Sequence, residues 1–191
     1  MLRAGDGPVS TWSVPNLISF VRILLVPVFV AVLLAGADGG PVRWAATVLF
    51  VVAISTDSLD GHLARSRNLV TDLGKILDPI ADKALTGAAL VVLSVLGELP
   101  WWVTALVLLR EVGITVYRFA VLSKRVIPAS KGGKLKTVLQ SVAITLALAP
   151  LPALLGDWMH AVNAVVMGAA FVITLVTGVQ YLIDDRRLNR G

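Results

Sequence analysis

Four aspartates stand where apolar segments of this sequence meet polar ones, and their spacing is the first sign of chemistry. Asp57 and Asp60 are three residues apart, and Asp78 and Asp82 are four apart, so each pair shares one face of a helix. Carboxylates in apolar helices are costly, and the default inference is that they face a polar cavity and serve a function. Because four converging carboxylates would repel one another unless protonated, a hard divalent cation such as Mg²⁺ is the simplest compensation.

Small and basic residues flank these carboxylates. Gly61 follows the first pair and Gly74 precedes the second, and the absence of a side chain lets a substrate or a second helix approach the backbone. Ala64 is similarly small, and the forked donors of Arg65 suit a phosphate at the rim of the cavity. The pattern predicts a metal site that is open to a phosphorylated ligand.

A second group of charges interrupts a later apolar segment. Arg110, beside Glu111, and Arg118 are eight residues apart, about two helical turns, so they share a face. Lys134 follows in a short basic stretch. Cations that face the carboxylate cavity suit an acceptor that itself carries a phosphate. A simpler explanation stays open for the lysines, namely a basic loop that attracts anionic lipid and contains Lys131, Lys134 and Lys136.

The elements that must position these residues are membrane helices. The chain has 191 residues, 57% of them hydrophobic and 15% charged, with a mean hydropathy of +0.84, which is typical of a membrane protein. It has no cysteine, which excludes disulfides and thiolate chemistry. We predict an all-α bundle of six transmembrane helices, with an amphipathic segment around residues 12–16 and one domain over residues 1–191. The predicted spans are 15–35, 42–64, 76–97, 101–122, 137–156 and 161–183.

The distribution of charge predicts the orientation of the bundle. Lysine and arginine concentrate near the two termini and in the segments around 65–75 and 123–136, whereas the opposite connections carry mostly acidic residues. The positive-inside rule therefore places both termini and the carboxylate cavity in the cytoplasm. The predicted outer ends of the helices carry tryptophans that we interpret as interfacial anchors: Trp44, Trp101, Trp102 and Trp158. Nucleic acid is not an expected partner.

The carboxylate segment resembles a known signature. Residues 57–82 match the pattern D-x2-D-G-x2-A-R-x8-G-x3-D-x3-D of the CDP-alcohol phosphatidyltransferases at all eight fixed positions. The resemblance implies a six-helix homodimer in a bacterial cell membrane, with an active site that opens to the cytoplasm and takes CDP-diacylglycerol as donor. It also implies Mg²⁺ or Mn²⁺ as cofactor.

The resemblance also assigns roles to single residues. Asp57, Asp60 and Asp78 would bind the metal, and Asp82 would be the general base with a share in metal binding. The nucleotide and its phosphates would contact the remaining fixed positions, which are Gly61, Ala64, Arg65 and Gly74.

Short segments outside the signature make the resemblance more specific, because they are similar to those of the bacterial phosphatidylglycerophosphate synthases. They are Val14-Pro15-Asn16-Leu17 followed by Arg22, the stretch 101–104 leading to Arg110-Glu111, and the stretch 133–137. This resemblance implies sn-glycerol 3-phosphate as acceptor, which agrees with the cations Arg110, Arg118 and Lys134 that we predict to bind the acceptor phosphate. Inositol 1-phosphate stays open as an alternative acceptor.

Two readings outside this chemistry also stay open. The bundle could be a small ion or metabolite carrier with the acidic cluster as its transport site. The aspartates could also be structural, either snorkelling to the interface or pairing with Arg67, Lys75 and Lys83.

Overall fold

The chain folds into helices connected by short turns. The computed structural model describes the backbone of residues 14–66, 72–122 and 131–188, and the side chains of residues 17–56, 79–117, 133 and 135–185. Within these ranges there is no strand, which confirms the all-α class. Of the predicted amphipathic segment at 12–16, residues 14–16 form the start of α1, and residues 12 and 13 lie outside the described residues. The helices are α1 (Val14–Ala35), α2 (Gly40–Ser66), α3 (Asp72–Val95), α4 (Trp101–Leu122), α5 (Lys131–Leu148), α6 (Leu151–Leu155) and α7 (Trp158–Leu188).

The ends of several helices follow from residues that cannot continue a helix. Gly39 and Gly40 adopt φ angles of 90° and 71° between α1 and α2, and Gly97 adopts 75° after α3, a left-handed backbone that glycine tolerates best. The predicted span 137–156 is wrong in its second half, because α5 ends at Leu148 and the short α6 follows. Pro150 has no amide hydrogen to donate and restricts the residue before it, so the helix ends there.

The core of the bundle joins six helices, namely α1, α2, α3, α4, α5 and α7. The most extensive contacts are those of α1 with α2 and α3, and those of α5 with α7. Phe29 of α1 and Phe50 of α2 are fully buried, with ring centroids 5.7 Å apart. Leucines of α3, Val107 of α4, Ile144 of α5 and Met167 of α7 also belong to this apolar cluster. Close packing of these side chains holds the helices together through van der Waals contacts.

The outer surface of the bundle carries many exposed apolar side chains. Leu109 and Val165 are each 71% exposed, and Val116 and Val138 exceed 60%. Among the described residues, two helical segments have the length and composition of a membrane span, Leu17–Ala35 and Trp158–Asp185, with mean hydropathies of 2.8 and 2.1. Exposed apolar surface on this scale needs an apolar surrounding, so the fold is consistent with a membrane protein.

One end of the bundle is held by a buried arginine. Arg43, near the start of α2 and only 4% exposed, pairs through Nη2 with Glu98 Oε2 at 2.5 Å. Its Nε donates to the carbonyl oxygen of Leu148 at 2.8 Å. The arginine therefore ties α2 to the α3–α4 connection and to the end of α5, where a cation also suits the helix dipole.

Candidate active site

The aspartate motif occupies the other end of the bundle from Arg43. Asp57, Asp60 and Arg65 lie in the last turns of α2, and Asp78 lies in the second turn of α3, with Asp82 one turn further on. Because both segments are helical, the two residues of each pair do lie on one face of their helix. Asp82 is the one aspartate of the four whose side chain the structure describes, and the structure describes only the backbone of Gly61, Ala64, Arg65 and Gly74.

The carboxylate of Asp82 opens onto a small cleft between three helices. The side chain is 35% exposed. Residues of α3, α4 and α5 line the cleft with it, namely Thr86, Glu111, Lys136, Thr137, Gln140 and Ser141. The structure thereby brings the last aspartate of the motif next to charges of α4 and α5 that are 29 and 54 residues further along the chain, counting from 82 to 111 and to 136.

Glu111 is the centre of an ion-pair cluster at this cleft. Its side chain is 6% exposed. Oε1 accepts a hydrogen bond from Lys136 Nζ at 2.5 Å and another from Arg110 Nη1 at 2.9 Å. Oε2 accepts one from Lys83 Nζ at 2.8 Å. We call these four residues the Glu111 cluster, and it joins α3, α4 and α5 through charge-assisted hydrogen bonds.

The Glu111 cluster also reaches the aspartate motif. Lys83 Nζ lies 4.0 Å from Asp82 Oδ2, at the limit of an ion pair. The lysine is the most exposed cation of the cluster at 26%, compared with 14% for Arg110 and 8% for Lys136. The cleft therefore holds a carboxylate of the motif beside cations that are mostly shielded from water.

Arg110 is positioned by α7 as well as by Glu111. Its Nη2 donates to Thr177 Oγ1 at 3.1 Å. The neighbouring Gly178 leaves room for the arginine, because a Cβ built there would lie 2.9 Å from Arg110 Nε and 3.0 Å from its Cγ. This arginine therefore runs between α4 and α7, with its guanidinium at the cluster.

The other two predicted acceptor ligands are placed only by their backbone. Arg118 lies in α4, two turns beyond Arg110, and Lys134 lies in the first turn of α5. Their side chains are outside the described residues. Their assignment, like that of Arg110, stays a prediction.

Sequence reasoning assigned no role to three members of the cluster. It considered Lys83 and Lys136 only as charges with a structural or lipid-attracting explanation, and it noted Glu111 only as the neighbour of Arg110. One signal was available, since an acid beside an arginine within an apolar helix marks a pair that must be satisfied inside the protein. Its partners on α3 and α5 were not readable, because nothing in the sequence says which helices pack against α4.

A larger cavity lies at the opposite end of the bundle. It has a volume of about 760 Å³ and includes Arg43, Trp102, Asn163 and Phe171 in its lining. Its walls contain none of the predicted site residues. Size alone therefore does not identify the site, and the chemistry favours the small cleft at Asp82.

Comparison with known proteins agrees with the signature. The family model described as CDP-alcohol phosphatidyltransferase matches residues 12–176. A Mycobacterium tuberculosis protein named "Probable phosphatidylglycerophosphate synthase" is 48% identical over 168 residues, which cover 87% of this chain and 78% of that protein.

Two further bacterial relatives carry one name, CDP-diacylglycerol–glycerol-3-phosphate 3-phosphatidyltransferase. The Bacillus subtilis protein is 37% identical, over 89% of this chain and 93% of its own length. The Shigella flexneri protein is also 37% identical, over 92% of this chain and 96% of its own length. The similarity thus extends well beyond the signature.

Proposed function

The chain belongs to the CDP-alcohol phosphatidyltransferase family, and from this we propose that it transfers the phosphatidyl group from CDP-diacylglycerol to sn-glycerol 3-phosphate. The products are phosphatidylglycerophosphate and CMP, so the reaction is a step of phospholipid biosynthesis. The observation that carries the proposal is the cleft in which Asp82 of the signature lies beside the cations around Glu111. A motif carboxylate next to buried cations suits an acceptor with both a hydroxyl and a phosphate.

The chemistry assigned to Asp82 is that of a general base. The acceptor hydroxyl oxygen forms a bond to the phosphorus that carries the diacylglycerol, while the bond from that phosphorus to the CMP oxygen breaks. The hydroxyl proton passes to the carboxylate of Asp82, which lies half-buried at the cleft. CMP leaves with the electron pair of the broken bond.

We assign the binding of CDP-diacylglycerol, the phosphatidyl donor, to the end of α2 and the start of α3, which carry the signature. Gly61, Ala64 and Gly74 would let the nucleotide approach the backbone of α2 and α3. Arg65 would bind a phosphate of the pyrophosphate through its forked donors.

A divalent cation, Mg²⁺ or Mn²⁺, is part of the proposal. Its ligands would be the carboxylates of Asp57, Asp60, Asp78 and Asp82, since these ions prefer oxygen ligands. The backbone supports these four ligands, because one aspartate pair lies in the last turns of α2 and the other in the first turns of α3, and the two helices are in contact. When bound, the cation would neutralise charge on the donor pyrophosphate.

The acceptor phosphate is assigned to cations of α4 and α5. Arg110 reaches the cleft through its hydrogen bond to Glu111. Arg118 follows on the same face of α4, and Lys134 stands one turn from the start of α5. An anion bound there would lie close to Asp82.

The setting of the reaction is also proposed. Six of the helices would span the bacterial cell membrane, with both termini and the active site in the cytoplasm, as the concentration of lysine and arginine indicates. Residues 1–191 would form one domain, and two copies would form a homodimer.

The test is CMP release by the purified protein in detergent, with CDP-diacylglycerol and Mg²⁺. Glycerol 3-phosphate and inositol 1-phosphate are offered separately, and EDTA is added in a further reaction. We expect release with glycerol 3-phosphate that EDTA abolishes and Mg²⁺ or Mn²⁺ restores. CMP release with inositol 1-phosphate alone would overturn the assignment of glycerol 3-phosphate as acceptor. CMP release that resists EDTA would overturn the proposed metal dependence.

A third outcome concerns the class of protein. No CMP release with either acceptor, from protein shown to be folded by circular dichroism and gel filtration, would revive the carrier hypothesis. Uptake of ions or metabolites into proteoliposomes would then be the next measurement.

A further inference from the structure

The Glu111 cluster contains more positive charge than its one carboxylate can neutralise. Lys83, Arg110 and Lys136 each donate to an oxygen of Glu111. Within the described part of the chain, these three cations against the one carboxylate of Glu111 leave a surplus of two positive charges. Among the described side chains, the one further carboxylate near the cluster is that of Asp82, at 4.0 Å from Lys83.

A purely structural ion pair does not need this surplus. Removing charges from water is expensive, and the expense is offset only when each charge finds a partner. The side chain of Lys136 is 8% exposed and that of Lys83 is 26% exposed, so water screens the charge of Lys136 poorly. A buried surplus of cations beside a cleft is the arrangement expected where an anion binds.

The geometry indicates that Glu111 fixes the positions of two lysine side chains. Its two oxygens hold ammonium groups that come from different helices, α3 and α5, at 2.8 Å and 2.5 Å. Lysine has a flexible stem, and its ammonium group is imprecisely placed unless another group fixes it. A carboxylate that bridges the two lysines orients Lys136, which lines the Asp82 cleft, and Lys83, whose Nζ lies 4.0 Å from Asp82 Oδ2.

We propose that Glu111 is a positioning residue for the acceptor phosphate, acting through Lys83 and Lys136. This inference rests on the proposed function, and it adds two lysines to the cations assigned above. Lys83 stands beside Asp82, so a phosphate held by Lys83 and Lys136 brings the acceptor hydroxyl next to the proposed base. Glu111 touches neither substrate.

The direction in which the KM for glycerol 3-phosphate changes distinguishes a positioning role of Glu111 from a purely electrostatic one. Replacing Glu111 by glutamine removes a negative charge from the site, which by Coulomb attraction alone would tighten the binding of a phosphate. If Glu111 instead holds the lysines in place, the same change weakens acceptor binding because the lysines lose their fixed positions. The two roles therefore predict opposite shifts in the KM for glycerol 3-phosphate.

The experiment compares Glu111→Gln with Glu98→Gln. Glu98 is also paired with a buried cation, Arg43, but it lies at the other end of the bundle. We expect Glu111→Gln to raise the KM for glycerol 3-phosphate about tenfold or more, as for the loss of a charge-assisted contact. The KM for CDP-diacylglycerol should stay within about twofold of wild type, and Glu98→Gln should alter neither KM. An unchanged or lowered acceptor KM in Glu111→Gln, or an equal rise in Glu98→Gln, would overturn the proposal.

Two further measurements keep the proposal testable. If Glu111→Gln does not fold, Lys83→Gln leaves Glu111 with two cations and should raise the acceptor KM alone; no rise would overturn the role of Lys83. If the wild type releases no CMP, the proposed function fails separately, and thermal stabilisation by inorganic phosphate tests the cluster without turnover. Phosphate should stabilise the wild type more than Glu111→Gln, and equal stabilisation would refute the positioning role.

Discussion

At the scale of single residues, the site depends on the cations that pair with the buried carboxylate of Glu111. Glu111 would be costly in the interior of α4 without partners, and three cations from α3, α4 and α5 supply them. Asp82 differs in kind, because its side chain is 35% exposed and opens onto the cleft. The first residue suits a positioning role, and the second suits contact with substrate.

Asp82→Asn tests the proposed base. An amide cannot accept the acceptor proton, so we expect kcat for CMP release to fall by about 10²–10⁴, the usual contribution of a general base. Asp38→Asn is the control, since Asp38 is an exposed carboxylate in the α1–α2 connection. Activity of Asp82→Asn above a tenth of the wild-type rate, measured at saturating substrates, would refute the assignment.

At the scale of elements, the contact between α4 and α7 determines where Arg110 lies. Thr177 accepts a hydrogen bond from its guanidinium, and Gly178 leaves the space through which the side chain runs. At the other end, Arg43 ties α2 to the end of α5. The helices are therefore joined by polar contacts at both ends, with the apolar cluster between them.

Gly178→Ala tests the α4–α7 contact. The new methyl group would lie 2.9 Å from Arg110 Nε, so the arginine must move; we expect a loss of about 1–3 kcal/mol, as in other overpacked sites. Gly168→Ala on the same helix is the matched control, because a Cβ there meets nothing within 4 Å. It should be neutral or stabilising by up to about 1 kcal/mol. Thermal unfolding in detergent measures both, and equal melting temperatures would contradict the close approach.

At the scale of the whole molecule, apolar side chains cover the outside of the bundle while charge concentrates at its ends. Leu109 of α4 and Val165 of α7 are each 71% exposed, whereas Asp157 immediately precedes α7 and Asp184 lies in its last turns. A bilayer would cover the apolar band and leave both ends in water. The excess of lysine and arginine in the segments around 65–75 and 123–136 predicts which end is cytoplasmic.

Cysteine labelling tests this orientation, and the chain suits it because it contains no cysteine. We expect a membrane-impermeant maleimide to label Asp157→Cys in intact cells, because this position lies on the predicted outer side. Asp184→Cys should react only after the cells are permeabilised. Labelling of Asp184→Cys first would show the inverted orientation, and equal labelling of both in intact cells would contradict a span between them.

Much of this protein was already decided by its sequence. The helical class follows from long apolar segments interrupted by glycine and proline, since each helix satisfies its own backbone hydrogen bonds. The two aspartate pairs follow from local spacing, because residues three or four apart share a helix face wherever the helix lies. The end of α5 at Leu148 was missed, because the apolar pattern extended the predicted span past Pro150 to residue 156.

The Glu111 cluster was decided only by the tertiary structure. Lys83, Glu111 and Lys136 come from three helices, and no local rule relates positions that far apart in the chain. Periodicity states which face of a helix is polar but not which helix it meets. That choice depends on the packing of all the helices together, as does the space that Gly178 leaves for Arg110. The sequence therefore determined the groups that can react, and the packing decided which of them stand together.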